Sequence, residues 1–180
     1  MAFKDYKFKY YTEKEIINPV LDNGDNPAQN SWEEMPITIQ NNLSKTIYLA
    51  EMICDHMGYK LQQNSNWRLH EKNGKPHRDG NAVDLQWFKD KDYGFKIFQF
   101  LKENANTIIH NLEIKGFRCF WECDIDKKTG KPKGFGWIHI DTNYDVKLNE
   151  YKLRIGYYNK KKKDYTYIPF EGKAPYEYIV

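Results

Sequence analysis

Ile39, Leu43, Ile47, Ala50 and Cys54 recur at three- and four-residue spacing, with Ile53 and Met57 widening the stripe. This is the period of a helix that buries one face, and Gly58 supplies its C-terminal stop. A second stripe of Phe95, Phe98, Leu101 and Ala105 predicts another helix over 92–106, packed beside the first. Elsewhere the period drops to two. Tyr59 to Trp67 reads as a strand, residues 69–80 as a turn-rich segment, and Ala82-Val83-Asp84-Leu85-Gln86-Trp87 as a second, alternating strand. Gly116 to Asp124 and Phe135 to Thr142 predict two more strands, separated by a turn over 126–134 dense in Lys, Gly and Pro. Tyr151 to Tyr158, the turn 159–164 and Tyr165 to Phe170 read as a closing hairpin, while Asn18 to Asn30 reads as a loop between a short leader and the first helix. The expected fold is α+β, a small single domain with a central antiparallel sheet and flanking helices. Residues 1–150 carry the main domain with its leader and helix, and 151–180 form a C-terminal β-hairpin extension packed on it.

Composition narrows the class. A chain of 180 residues can bury one well-formed core. Mean hydropathy is -0.87, and no apolar run approaches the roughly 20 residues of a membrane span, so no membrane insertion is expected. The start, Met1-Ala2-Phe3-Lys4-Asp5-Tyr6-Lys7, lacks the apolar core and small-residue cleavage site of a secretory signal. Cys54, Cys119 and Cys123 do not form a disulfide framework; they read as buried thiols in a reducing compartment. A zinc site built from Cys119, Cys123 and His110 lacks any C-x-x-C spacing and is set aside. A net charge of +3 falls short of the footprint of a dedicated nucleic-acid binder, so no nucleic-acid partner is expected. The run Lys160 to Lys163 reads as a solvated hairpin turn.

Two polar clusters interrupt this pattern. Lys75-Pro76-His77-Arg78-Asp79-Gly80-Asn81-Ala82-Val83-Asp84 sets a histidine and a carboxylate across a glycine turn, and Trp137-Ile138-His139-Ile140-Asp141 places a second histidine on a later strand. His77, Asp84 and His139 make a set of two imidazoles and one carboxylate, as in catalytic zinc sites that keep a fourth position for water. A plain loop–strand junction accounts for the same residues about equally well on spacing alone. His56, His70 and His110 have no telling partner and read as structural. Zinc lowers the pKa of water to about 7, and hydrolysis then requires a carboxylate to move that proton. Because Trp137, His139 and Asp141 share one strand face, a hairpin register that sets Glu122 opposite His139 brings Glu122 to the same face. Glu122 is the first choice of base and Asp141 the second, with orientation of a ligand histidine as Asp141's other role. Arg68 is placed to hold a substrate carboxylate or polarise a carbonyl.

The chain resembles the LAS-type zinc peptidases, the D-Ala-D-Ala carboxypeptidases and L-Ala-D-Glu endopeptidases of peptidoglycan stem peptides. Their signature, Ser-x-His-x-x-Gly-x-Ala-x-Asp followed by Trp-x-His, is matched by His77, Gly80, Ala82 and Asp84, then by Trp137 and His139. Ser65-Asn66-Trp67-Arg68 is similar to the family's Ser-Gly-Tyr-Arg element. Tyr10-Tyr11-Thr12-Glu13-Lys14-Glu15 and His139-Ile140-Asp141 are similar to the leader and last strand of a small branch common in phage and bacterial genomes. The likeness spans Tyr10 to Asp141 and omits the terminal hairpin. Lys75 replaces the signature serine, and Gly136 stands where many members carry the catalytic acid; Glu122 matches a glutamate of the branch's preceding strand. The resemblance implies zinc held by His77, Asp84 and His139, and a monomeric peptidase cutting stem peptides. As a phage or prophage lysin without a signal peptide, it would stay in the cytoplasm of the producing cell until holin-type release, or act from a virion. The second expectation is a cell-wall-binding or virion-structural module that keeps the fold without hydrolysis.

Overall fold

The computed structural model of the protein describes residues 7–17, 35–68, 74–123, 135–159 and 164–172. The turns expected over 18–30 and 126–134, His70 and the run Lys160 to Lys163 lie outside them. Among the described residues, three helices, α1 (Glu13–Ile17), α2 (Ile37–Met57) and α3 (Tyr93–Asn111), accompany six strands: β1 (Gln62–Ser65), β2 (Ala82–Gln86), β3 (Gly116–Glu122), β4 (Trp137–Thr142), β5 (Glu150–Asn159) and β6 (Asp164–Pro169). The strands form one sheet in the order β1-β2-β4-β3-β5-β6. The fold is α+β, as expected.

Alternation divides the sheet into two faces. Val83 and Leu85 of β2, Ile138 and Ile140 of β4, and Phe117, Cys119 and Trp121 of β3 are fully buried. They pack toward α2, which lies on β2 and β4, and α3, which lies on β3 and β5. Removing each large side chain from water is worth about 1.5–3 kcal/mol. The intervening residues, Asp84, Trp137, His139, Asp141, Arg118, Phe120 and Glu122, occupy the opposite face. All pairings are antiparallel except β3 with β5. The expected hairpin extension thus continues the same sheet, and its first strand joins β3 in parallel. Residues 143–149 make this possible by stepping past the start of β3: the Asn143 and Asn149 amides donate to Gly116 and Lys115 carbonyls at 2.9 and 2.8 Å. Asn143, Asp145 and Asn149 take positive φ there, a conformation that Asn and Asp reach more readily than other side chains.

Other differences have local causes. α3 runs five residues beyond the expected end at Asn106 because Ile108 and Ile109 are buried in the core; tertiary burial outweighs the modest helix propensity of β-branched residues. The leader contains a short helix opened by a capping box. Thr12 Oγ1 accepts from the Glu15 amide at 3.3 Å, while Glu15 Oε2 accepts from the Thr12 amide at 2.9 Å. The leader docks on α2 through Glu51, whose Oε1 accepts from the Tyr10 and Tyr11 amides, and through the Tyr11 hydroxyl, which donates to the Leu61 carbonyl at 2.9 Å. Among the described residues, no helix is long and apolar enough to cross a membrane.

Candidate metal centre

The turn carrying His77 is built by short-range hydrogen bonds. The Asp79 amide donates to the Lys75 carbonyl at 3.0 Å, Gly80 to His77 at 3.2 Å and Asn81 to Pro76 at 2.8 Å. Gly80 sits at φ 72°, and a Cβ there would lie 2.9 Å from the Ile39 carbonyl oxygen. Both conditions call for glycine. The turn therefore seats directly on the N-terminal part of α2, where Asn42 Nδ2 donates to the Asp79 carbonyl at 2.8 Å. Thr46 and Thr142 share a buried hydroxyl contact of 3.0 Å that ties α2 to the end of β4.

Register supplies the other two members. Asp84 lies opposite His139, and Ser65 opposite Asp84, so β1, β2 and β4 meet at one spot on the open face. His139 Nδ1 is 2.8 Å from Asp84 Oδ1, and His77 Nε2 is 3.4 Å from Asp84 Oδ2. The two imidazoles stand edge to face with centroids 5.0 Å apart. One donor atom from each of His77, Asp84 and His139 falls within 4.8 Å of the others, so this group can hold a metal ion.

The outer nitrogens test that fit. His77 Nδ1 donates to the Asn66 carbonyl, which leaves Nε2 aimed inward. That Nε2 is buried with no hydrogen-bond partner among the described residues. His139 Nε2 bonds to Asp141 Oδ2 at 3.1 Å, which leaves Nδ1 facing Asp84. Metal-binding histidines characteristically give their second nitrogen to a carboxylate or backbone carbonyl, and both alternatives occur here. Asn66 is itself fixed, since its Nδ2 donates to the Ile16 carbonyl at 2.5 Å, which links the leader to the centre.

Electrostatics in the metal-free group follow from crowding opposite charges. Burial opposes the charged form of Asp84, but His139 and His77 beside it outweigh burial and hold its carboxyl well below the ordinary carboxylate range. Burial likewise opposes the imidazolium of His139, yet hydrogen bonds to Asp141 and Asp84, with their negative charges, push it up to about 10. Arg68 adds a further cation. Its Nη2 pairs with Asp84 Oδ2, and its Nε donates to Ser65 Oγ at 2.7 Å.

The remaining expected site residues are placed differently. Asp141 is fully buried beneath His139 and gripped by Arg118, whose Nε and Nη2 lie 2.9 and 2.8 Å from Oδ1 and Oδ2. Glu122 is on the same face as His139 but not opposite it: Phe120 occupies that position and Glu122 pairs with Trp137. The expected register is off by two residues, a slip that preserves the face and so leaves no trace in the alternation pattern. Glu122 accepts a hydrogen bond from the Tyr167 hydroxyl of β6. Gly136 has φ 60°, and a Cβ there would lie 2.6 Å from the Glu122 carbonyl oxygen and 2.9 Å from Trp121 Nε1. The backbone thus leaves no room for a carboxylate side chain.

Among the other polar candidates, His56 stacks on Phe100 with centroids 4.5 Å apart. All three cysteines are buried, whereas His110 is exposed at the end of α3. Arg118 and the Asn66 carbonyl were not singled out by the residue pattern. A cation two residues from Phe120 and four from Glu122 on the polar face of β3 is the signal that marks Arg118; a backbone acceptor has none.

Fold and site together define an α+β domain with a preformed His–Asp–His group able to hold a metal ion. Comparison with protein-family models, curated proteins and solved structures finds no match.

Proposed function

We propose that this protein is a zinc-dependent peptidase that hydrolyses peptide bonds in bacterial peptidoglycan stem peptides, with His77, Asp84 and His139 as its metal ligands. The observation that carries the reading is the convergence of His77 Nε2 and His139 Nδ1 on Asp84 while each outer nitrogen is already engaged. Two imidazoles and a carboxylate suit zinc with an open position. The choice of substrate rests on the resemblance of these residues to the stem-peptide peptidases. When bound, zinc supplies Lewis acidity that polarises a carbonyl and lowers the pKa of water to about 7.

The chain's own residues divide the remaining work. Arg68, beside Asp84 at the rim of the group, binds a substrate carboxylate or the polarised carbonyl oxygen through charge-assisted hydrogen bonds. Glu122 is the carboxylate on this face proposed to carry the proton toward the leaving amine, with the Tyr167 hydroxyl holding it. Asp141 is the poorer base because Arg118 occupies both of its oxygens.

Metal analysis of protein purified without chelator, followed by incubation with peptidoglycan with and without chelator, tests the reading. Bound zinc and chelator-sensitive release of new amino termini are expected. A protein that neither carries nor takes up zinc overturns the site. Bound zinc without released termini favours the second reading, a cell-wall-binding or virion-structural module, for which the closed backbone at Gly136 is the supporting observation. Turnover of Glu122→Gln against Asp141→Asn assigns the base; near wild-type turnover in Glu122→Gln removes Glu122 from that role.

A further inference from the structure

Arg118 lies directly opposite Asp141 across the β3–β4 pair. Its Nε contacts both carboxylate oxygens, at 2.9 Å to Oδ1 and 3.2 Å to Oδ2, and its Nη2 donates to Oδ2 at 2.8 Å. The guanidinium carbon lies over two rings, 5.1 Å from the Phe120 centroid and 4.6 Å from that of Tyr144. Nη1 reaches the exposed Asp145 Oδ2 at 3.3 Å. A planar fork in this setting fixes a carboxylate in orientation as well as position, which an ammonium cannot do. Asp141 Oδ2 also bonds His139 Nε2, so the arginine, the carboxylate and the imidazole form one chain that ends with Nδ1 pointing at Asp84.

We infer that Arg118 is a positioning residue for the metal group: by locking Asp141 it fixes the Nε2–H of His139 and presents Nδ1 for ligation. Asp141 is then part of the ligand-orienting chain and is unavailable for proton transfer. The inference rests on reading His77, Asp84 and His139 as a metal centre, but it assigns a function to a residue outside that set. Partners of ligating histidines typically change metal affinity by about 10–100-fold when altered.

The test is cobalt(II) affinity, measured by competition with a chromophoric chelator, alongside the unfolding midpoint in excess chelator. Arg118→Lys keeps a positive charge against buried Asp141 but loses the fork. It is expected to bind cobalt(II) about tenfold more weakly and to alter the cobalt absorption envelope. In an Asp141→Asn background the same substitution is expected to change affinity less than twofold, because the chain is already broken. Asp145→Asn is expected to bind as wild type. Should Arg118→Lys prove poorly folded, Tyr144→Leu loosens the guanidinium without touching the charge pair and is expected to give a smaller loss of the same sign. Wild-type affinity in folded Arg118→Lys and Tyr144→Leu overturns the inference alone, as does an equal loss with and without Asp141. Wild-type protein that takes up no cobalt(II) or zinc overturns the metal centre and this inference with it.

Discussion

Replacing Gly80 by alanine is expected to cost far more than its single methyl group implies, and the excess can be isolated. Two terms act at this position. Holding an L-residue at φ 72° costs about 1–2 kcal/mol, partly offset by the ~0.4–1 kcal/mol gained from a stiffer unfolded chain. The added Cβ also meets the Ile39 carbonyl oxygen at 2.9 Å, its Cγ2 at 3.1 Å and its Cα at 3.4 Å. Two of those three atoms are helix backbone, so relief requires the turn to lift from α2, at a cost of about 1–3 kcal/mol typical of overpacking. Gly58, which ends α2 at φ 75°, has nothing within 4 Å of its would-be Cβ. Gly58→Ala therefore reports the conformational term alone, about 1 kcal/mol net. Gly80→Ala should lose roughly 2–4 kcal/mol, and its melting temperature roughly 5–15 °C. Denaturant unfolding of both variants in chelator, followed by circular dichroism, measures the difference. Lifting the turn also displaces His77, so zinc affinity should fall in Gly80→Ala and stay unchanged in Gly58→Ala. Equal destabilisation of the two variants would refute the packing argument and leave only the sign of φ.

Three further outcomes are expected. Asp84→Asn removes the carboxylate shared by both histidines, so zinc affinity measured by competition should fall more than about 100-fold, beyond the range for outer partners; tight retention of zinc would exclude Asp84 as a ligand. In metal-free protein the His139 pKa is raised from 6.5 to about 10, so the stability it contributes is complete below pH 6.5 and lost as pH rises toward 10; a chelated protein whose unfolding free energy is flat over that window contradicts the assignment. Because a ligating imidazole must give up its proton, zinc uptake at pH 7 should release about one proton from His139, read by calorimetry in buffers of different ionisation enthalpy. Gly136→Glu, which installs the acid many stem-peptide peptidases carry at this point, should lose about 3 kcal/mol from strain and overpacking and gain no turnover; a stable, more active variant would show that the backbone there yields.

The three ligand candidates were legible because their signal is local. A histidine and a carboxylate flanking a glycine turn, with another histidine on an alternating strand, fix residue types and faces without knowledge of the partner strands. Gly80 was legible in the motif, though the reason for it, the approach of Ile39 from a helix much earlier in the chain, was not. The position of Glu122 failed for a related reason. Fourteen residues separate it from Trp137, too many for turn geometry to fix register, and a two-residue slip leaves every side chain on its expected face. Arg118 carried only the weak signal of a cation on the polar face of β3, because its significance depends on standing opposite Asp141, which needs the register. The parallel seat of β5 depends on how residues 143–149 cross the end of β3, which hydrophobic periodicity does not encode.

The charge balance of the site gives these placements a common sense. At pH 7 the metal-free group sets two carboxylates, Asp84 and Asp141, against the His139 imidazolium and the guanidinium groups of Arg68 and Arg118. The proton on His139 Nδ1 faces Asp84 where the geometry calls for a metal ligand bond, so it acts as a place-holder that keeps the imidazole aligned with no ion present. Exchanging one proton for a divalent cation raises the local charge by one unit without requiring either ring to turn, since the outer nitrogens keep their acceptors at Asn66 and Asp141. The added positive charge falls beside Arg68, at the rim of the group, and a buried or half-buried site magnifies its effect relative to water. On the proposed reading, the cation and Arg68 together would favour an anionic or strongly polarised carbonyl group, such as a peptide carboxylate or scissile amide, on the side of Asp84 where Arg68 lies. Arg68 and Arg118 thus stand at opposite ends of a single row of alternating charges that runs through Asp84, His139 and Asp141, with substrate binding proposed at the first end and ligand orientation inferred at the second.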